Sequence, residues 1–165
     1  MYLCVDISDI SYIKDYMEKN YWGLVHPFTT DRCVERLINE YKKHKNLIIA
    51  FDFDNTVFDY HKEGNQYEYE DVIELLKECY DLGMTLVLYT CEENIDKIKW
   101  KINWCKEYMK FTPHYVNKSP VLSQSYKNGK IYYNILLDDR AGLFEAWSIL
   151  SDVVSYIEKD KGLIK

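Results

Sequence analysis

A run of six residues, Asn46-Leu47-Ile48-Ile49-Ala50-Phe51, most constrains what this chain can become. It is apolar without alternation, rich in β-prone residues and bounded by polar sequence, as expected of a strand buried on both faces of a parallel sheet. It runs straight into Asp52-Phe53-Asp54-Asn55-Thr56, so two carboxylates stand two residues apart where the strand ends. Pleating aims such side chains the same way. Like charges a few ångströms apart repel unless a divalent cation or a shared proton lies with them. Magnesium suits that position, because it takes oxygen ligands, keeps several waters and bridges carboxylates to phosphates.

The rest of the chain repeats the pattern. Met84 to Tyr89 is again apolar and terminates at Thr90, a short strand is expected near His114 to Val116, and Tyr132 to Leu137 ends in Asp138-Asp139. Apolar residues at helical spacing predict helices over 30–44, 70–82, 92–109 and 142–158, with another over 7–19. In 92–109 the expected buried face is Ile95, Ile98, Ile102, Cys105 and Met109. Strands alternating with helices imply an α/β fold, a three-layer Rossmann-like parallel sheet flanked by helices. The expected boundary falls near Lys45, with a helical N-terminal extension over 1–45 and a catalytic core over 46–165.

In such sheets ligands bind beyond the carboxyl ends of the strands. Those ends carry Asp52, Thr90 and Asp138-Asp139. The second acidic pair would complete a metal cage with Asp52 and Asp54, and Thr90 offers a hydroxyl beside a helix N-terminus that favours anions. Lys130, eight residues before Asp138, is the candidate cation. Together these are the parts for phosphoryl transfer, which needs positioning and charge neutralisation above all. Each has a plainer reading: a solvated turn for the Asp52-Asp54 loop, helix caps for Thr90 or one of Asp138 and Asp139, an exposed surface lysine for Lys130. Cys91 beside Thr90 lacks an evident base and reads as a core-facing thiol.

Composition narrows the function classes. The 165 residues fit one domain, and 21 Lys and Arg against 27 Asp and Glu leave a net charge of −6, with no general attraction for nucleic-acid backbones or anionic membranes. The apolar runs fall far short of the roughly 20 residues of a membrane span, and the N-terminus lacks the basic and apolar regions of an export signal. Five cysteines, Cys4, Cys33, Cys79, Cys91 and Cys105, form an odd set without a CxxC pair, which argues against a disulfide framework or zinc site. A cytoplasmic protein without a membrane partner is expected.

The segment Leu47-Ile-Ile-Ala-Phe-Asp52-Phe-Asp54-Asn-Thr56-Val57 resembles the first motif of the haloacid dehalogenase (HAD) superfamily, Leu86-Val-Leu-Tyr-Thr90 resembles the second, and Ile135-Leu-Leu-Asp138-Asp139 the fourth. The resemblance spans roughly residues 46 to 158. It implies that Asp52 attacks phosphorus and forms an aspartyl-phosphate, while Asp54 serves as acid and then base. It implies a Mg2+ ion held by Asp52, the main-chain carbonyl of Asp54 and an acid of the last pair, Asp139 favoured over Asp138. Thr90 would bond the phosphoryl group, and the third-motif lysine would be Lys130, from Lys130-Ile-Tyr-Tyr-Asn-Ile-Leu-Leu-Asp-Asp, with Lys127 and Lys118 as alternatives. Where similar capless relatives often read Thr-Cys-Arg, this chain reads Thr90-Cys91-Glu92.

Only 33 residues separate Thr56 from Thr90, too few for a mobile cap domain. The N-terminal 45 residues would then serve as a lid or a homodimer surface. Leu136-Leu137-Asp138-Asp139-Arg140 also resembles the last strand of 5'(3')-deoxyribonucleotidases, which puts a nucleotide or nucleic-acid end first among substrates, ahead of a sugar phosphate and a phosphoprotein. A phospho-accepting receiver domain would place its acidic residues and lysine in another order along the chain. A non-catalytic binding protein on the same scaffold is the third alternative.

Overall fold

A computed structural model describes residues 29–62, 64–121 and 130–164. The helix expected over 7–19 and the candidate Lys127 lie outside the described residues. Helix α1 spans Thr30–His44. Strand β1 covers Ile48–Phe51, and a short 3-10 turn at Gln66–Tyr69 leads into α2 at Glu70–Asp81. Strand β2 is Thr85–Leu88, followed by α3 at Ile95–Trp104, which widens into one π-helical segment over Cys105–Met109. Strands β3 (Tyr115–Val116) and β4 (Ile135–Leu137) follow, and α4 spans Leu143–Asp160.

The fold is α/β, with one parallel sheet in the order β3-β2-β1-β4. Strand β1 pairs with β2 through Ile48 to Phe51 against Thr85 to Leu88, and with β4 through Ile49 to Phe51 against Ile135 to Leu137. All four β1 residues are buried, as its unbroken apolar run requires. The chain steps outward from β1 to β2 and β3, then returns to lay β4 on the other side of β1. The carboxyl ends of β1 and β4 therefore flank the point where strand order reverses, the usual ligand crevice of an open parallel sheet.

Pleating sorts the core. Ile49, Phe51, Leu86, Leu88 and Leu137 join the cluster that receives the buried faces of the described helices, including Leu76 of α2, Met109 after α3 and Leu150, Val153 and Ile157 of α4. Ile48, Ala50 and Val87 form a smaller cluster with Ile131, packed by Tyr132 and Leu136. Helix α1 contributes Leu37 and Tyr41 to the first cluster, so this described part of the N-terminal region packs into the same core as the residues beyond Lys45.

Local chemistry sets the element ends. Thr29 caps α1 and Asn94 caps α3, the latter accepting from the Asp96 and Lys97 N–H groups. Gly83, at φ 85°, closes the α2–β2 turn in the left-handed region open to glycine. At the amino edge of the sheet the Asn134 side chain accepts from Ile48 N–H at 2.7 Å, and Asn46 exchanges bonds with Thr85. Among the described residues no helix is long and apolar enough to cross a membrane.

Candidate active site

The acidic side of the site is built by strand pairing. Asp52 N–H donates to Leu137 O at 2.9 Å, continuing the β1–β4 ladder one residue past the strand and bringing Asp52 beside Asp138 and Asp139. One carboxylate oxygen from each of the three lies within 4.8 Å of the others. Magnesium–oxygen bonds of about 2.1 Å set neighbouring ligands about 3.0 Å and opposite ligands about 4.2 Å apart, so the three carboxylates are near enough to converge on a divalent cation once their side chains close in. Burial pushes the Asp52 carboxyl up to about 6, opposed by the Phe53 N–H and reinforced by the charges of Asp138 and Asp54, while Lys101 pulls it back.

The loop after β1 is held by its own backbone. Asn55 adopts φ 60°, a left-handed conformation that asparagine tolerates, and Val57 and Phe58 both donate to Phe53 O. Buried Thr56 directs its hydroxyl to the last strand, accepting from Asp139 N–H at 3.0 Å. A single threonine thus ties the Asp52-Asp54 loop to the turn that carries the second acidic pair. Asp138 accepts from Arg140 N–H at 2.8 Å within that turn, and α4 begins at Gly142 without a side-chain cap. Neither aspartate is spent on capping the helix.

The opposite side comes from α3. Lys101 is 4% exposed, and its ammonium donates to Asp54 Oδ2 at 2.6 Å and Thr90 Oγ1 at 3.1 Å. The same nitrogen lies 4.9 Å from the centroid of the Phe53 ring. Asp54 is thereby drawn away from the three converging carboxylates and into an ion pair. Thr90 is fixed by Asn117, whose side chain accepts from Thr90 N–H at 2.9 Å and donates to Thr90 O at 2.6 Å. Asn117 itself sits at φ 48°. These groups open on a cavity of about 690 Å³, bordered by Asn55, Phe58, Tyr60, His61, Tyr89, Cys91, Glu92, Lys97, Trp100 and Arg140 as well. Glu92 and Lys97 pair across its rim at 3.3 Å.

The structure brings together Asp52, Asp54, Thr90, Asp138 and Asp139. It does not bring Lys130, which is exposed and absent from the cavity wall. The reason is directional: upstream of Asp138 the parallel strand descends toward the amino edge, where Asn134 meets Ile48, and Lys130 precedes even that point. Lys118 is also exposed and off the wall. Among the described residues the buried cation is Lys101; Asn117 is a positioning residue that sequence patterning did not single out, and Thr56, quoted within the first motif, has a positioning role that the motif did not state. The face expected for α3 shifts too, since Ile95 is 68% exposed and Lys101 is buried in line with Cys105 and Met109. Helix α3 starts at Ile95 under Asn94, which leaves Thr90 free of the capping role.

No family model and no curated protein matches the chain. A solved structure of a conserved protein from Bacteroides thetaiotaomicron is similar at 24% identity and a TM-score of 0.48, covering 73% of this chain and 93% of that one.

Proposed function

We propose that the protein is a magnesium-dependent phosphatase that hydrolyses a phosphate monoester through an aspartyl-phosphate on Asp52. One observation carries the reading: the carboxylates of Asp52, Asp138 and Asp139 converge at the carboxyl edge of the sheet while Asp54 is held apart by a buried lysine. That division gives two carboxylates of one loop different tasks, which environment alone sets. The haloacid dehalogenase resemblance of the Asp52-Asp54 segment points the same way.

Asp52 and the acidic pair would hold the metal together with the Asp54 main-chain carbonyl. When bound, magnesium supplies the positive charge that lets the Asp52 carboxylate and a phosphoryl oxygen approach each other. Asp52 Oδ attacks phosphorus in line, and the bond to the leaving oxygen breaks as Asp54, having first taken up a proton from solvent, gives that proton to the leaving oxygen. Asp54, now a carboxylate, takes a proton from water. The resulting hydroxide attacks phosphorus, and the Asp52–phosphorus bond breaks to release phosphate. The Lys101 ammonium has three N–H donors and spends two on Asp54 and Thr90, leaving one for a phosphoryl oxygen. Preorganised charge of this kind acts most strongly where oxygen charge develops.

The substrate class we favour is a nucleotide or nucleic-acid end, on the likeness of Leu136-Leu137-Asp138-Asp139-Arg140 to the nucleotidase strand. Phosphate release from nucleoside monophosphates, sugar phosphates and phosphorylated oligonucleotides tests both levels. Activity is expected with Mg2+, with strong inhibition by Ca2+, whose looser coordination misplaces the nucleophile. Undiminished activity in excess chelator would overturn the metal-dependent mechanism.

A further inference from the structure

The wall of the cavity beyond the phosphate end is aromatic, and three of its rings, Tyr60, Tyr89 and Trp100, are neither core nor catalytic. Trp100 follows Lys97 by one helical turn and adjoins Lys101 on α3, so neighbouring residues of one helix serve two parts of the cavity. Successive helix side chains diverge by about 100°. Lys101 accordingly enters the floor beside Asp54 and Thr90 while Trp100 stands in the wall.

Edge contacts fix the indole on one side. Trp100 meets Phe53 at 5.7 Å and 71° and Phe58 at 5.3 Å and 82°. Both partners belong to the loop that carries Asp52 and Asp54, and Phe58 stacks on Phe53 at 5.4 Å. The indole nonetheless remains 47% exposed, with Tyr60, 59% exposed, bordering the same cavity. A tryptophan packed for stability alone would bury more of its surface, since its ring is one of the largest apolar bodies a chain can hide. Trp104, one turn further along α3, does so: it is partly buried, joins the core cluster and stacks on Tyr108 at 4.7 Å.

We propose that Trp100 is a specificity-determining residue that stacks on the heteroaromatic base of a nucleoside monophosphate whose phosphate lies at Asp52 and Lys101. The proposal rests on the phosphatase reading for where the phosphate lies, and on the rigid, half-exposed indole for the base. The spacing suits the ligand. The Lys101 nitrogen lies 4.9 Å and the Trp100 ring 5.7 Å from the Phe53 ring centroid, so ammonium and indole stand within the reach of one nucleoside monophosphate. Aromatic stacking tolerates any base, because every base has a π-face.

The test compares adenosine and thymidine 5′-monophosphate with ribose 5-phosphate, which keeps the sugar and phosphate and lacks the base. Wild type should favour the nucleotides in kcat/KM by about tenfold or more, the usual scale of one stacked base. Trp100→Leu keeps apolar bulk against Phe53 and Phe58, and should erase most of that ratio through KM, whereas Trp100→Phe should retain much of it. A ratio near one in wild type, or an equal loss on nucleotides and ribose 5-phosphate in Trp100→Leu, overturns the proposal. Calorimetric binding of the same three compounds to Asp52→Asn protein with Mg2+ separates the two readings. Base-dependent binding that Trp100→Leu removes, without turnover by wild type, sinks the phosphatase and keeps the base site. Turnover without base preference sinks the base site alone, and absence of both binding and turnover sinks the two together.

Discussion

The two sides of the cavity are built on different physics. At the carboxyl ends of β1 and β4, backbone pairing forces Asp52, Asp138 and Asp139 together, and the ladder holds them there against their repulsion. Across the cavity, α3 delivers a buried ammonium that is already paired with Asp54 and bonded to Thr90. On the proposed function the acidic side would stay strained until a cation binds, whereas the cationic side is paired beforehand. Under that proposal the site would gain from metal binding, and the Asp52 carboxyl is raised chiefly by burial and further by the charges of Asp138 and Asp54.

Breaking the acidic side should cost most. Asp52→Asn keeps the shape of the side chain but cannot form the aspartyl-phosphate, so turnover should fall on the order of ten-thousandfold or more, as when a nucleophile is removed. Phosphate release and a circular dichroism spectrum on the same sample check it. Wild-type-like turnover from folded Asp52→Asn protein removes Asp52 from the nucleophile's role.

Breaking the α3 side should cost less, because it removes one electrostatic donor and leaves the nucleophile intact. Lys101→Ala should lower kcat by about a hundredfold to a thousandfold with a smaller change in KM. Lys130→Ala, changing an exposed side chain off the cavity wall, should stay within about twofold of wild type. The opposite result, with Lys130→Ala crippled and folded Lys101→Ala intact, would return the third-motif assignment to the segment before β4.

The same two regions differ in how far they can be read from sequence. Asp52, Asp54, Asp138 and Asp139 follow apolar strands directly, so identity and location share one window, and parallel pairing does the rest. Lys101 has no such flag. It is one of three lysines in Lys97-Ile-Lys99-Trp-Lys101, and only its alignment with Ile98, Cys105 and Met109 along one helical stripe sets it apart. A charged residue inside an apolar stripe was the available signal, since lysines are almost never fully buried without a partner. The partner, Asp54, lies 47 residues away in the chain, and helix periodicity carries no information about it. Asn117, and the role of Thr56, escaped for a related reason: each acts by bonding the backbone of a residue brought close only by the fold. The strands are shorter than expected by one to three residues at their ends, three where Tyr132 to Asn134 precede β4 and one where Tyr89, beyond β2, is 41% exposed.

The smallest expected effect sharpens the contrast between the strained and settled sides without any assay of turnover. Asp52 has an ordinary value of 3.8 and is held near 6 in the folded chain, chiefly by burial. The native state therefore binds this proton more tightly than the unfolded chain does. As pH falls through about 6 the native state is relieved, and above that value the ionised carboxylate costs stability in full. Asn at this position carries no charge to desolvate, so Asp52→Asn should melt at a higher temperature than wild type at pH 8 in chelator. The difference should shrink at pH 4.5, where the native wild-type carboxyl is mostly protonated. Saturating Mg2+ at pH 8 should reverse the order, because the ion binds the native aspartate set and stabilises it by mass action. Melting curves of the two proteins at both pH values, with and without Mg2+, are the measurement. A gap that is the same at pH 8 and pH 4.5 in chelator would mean that Asp52 is not the strained member of the acidic side.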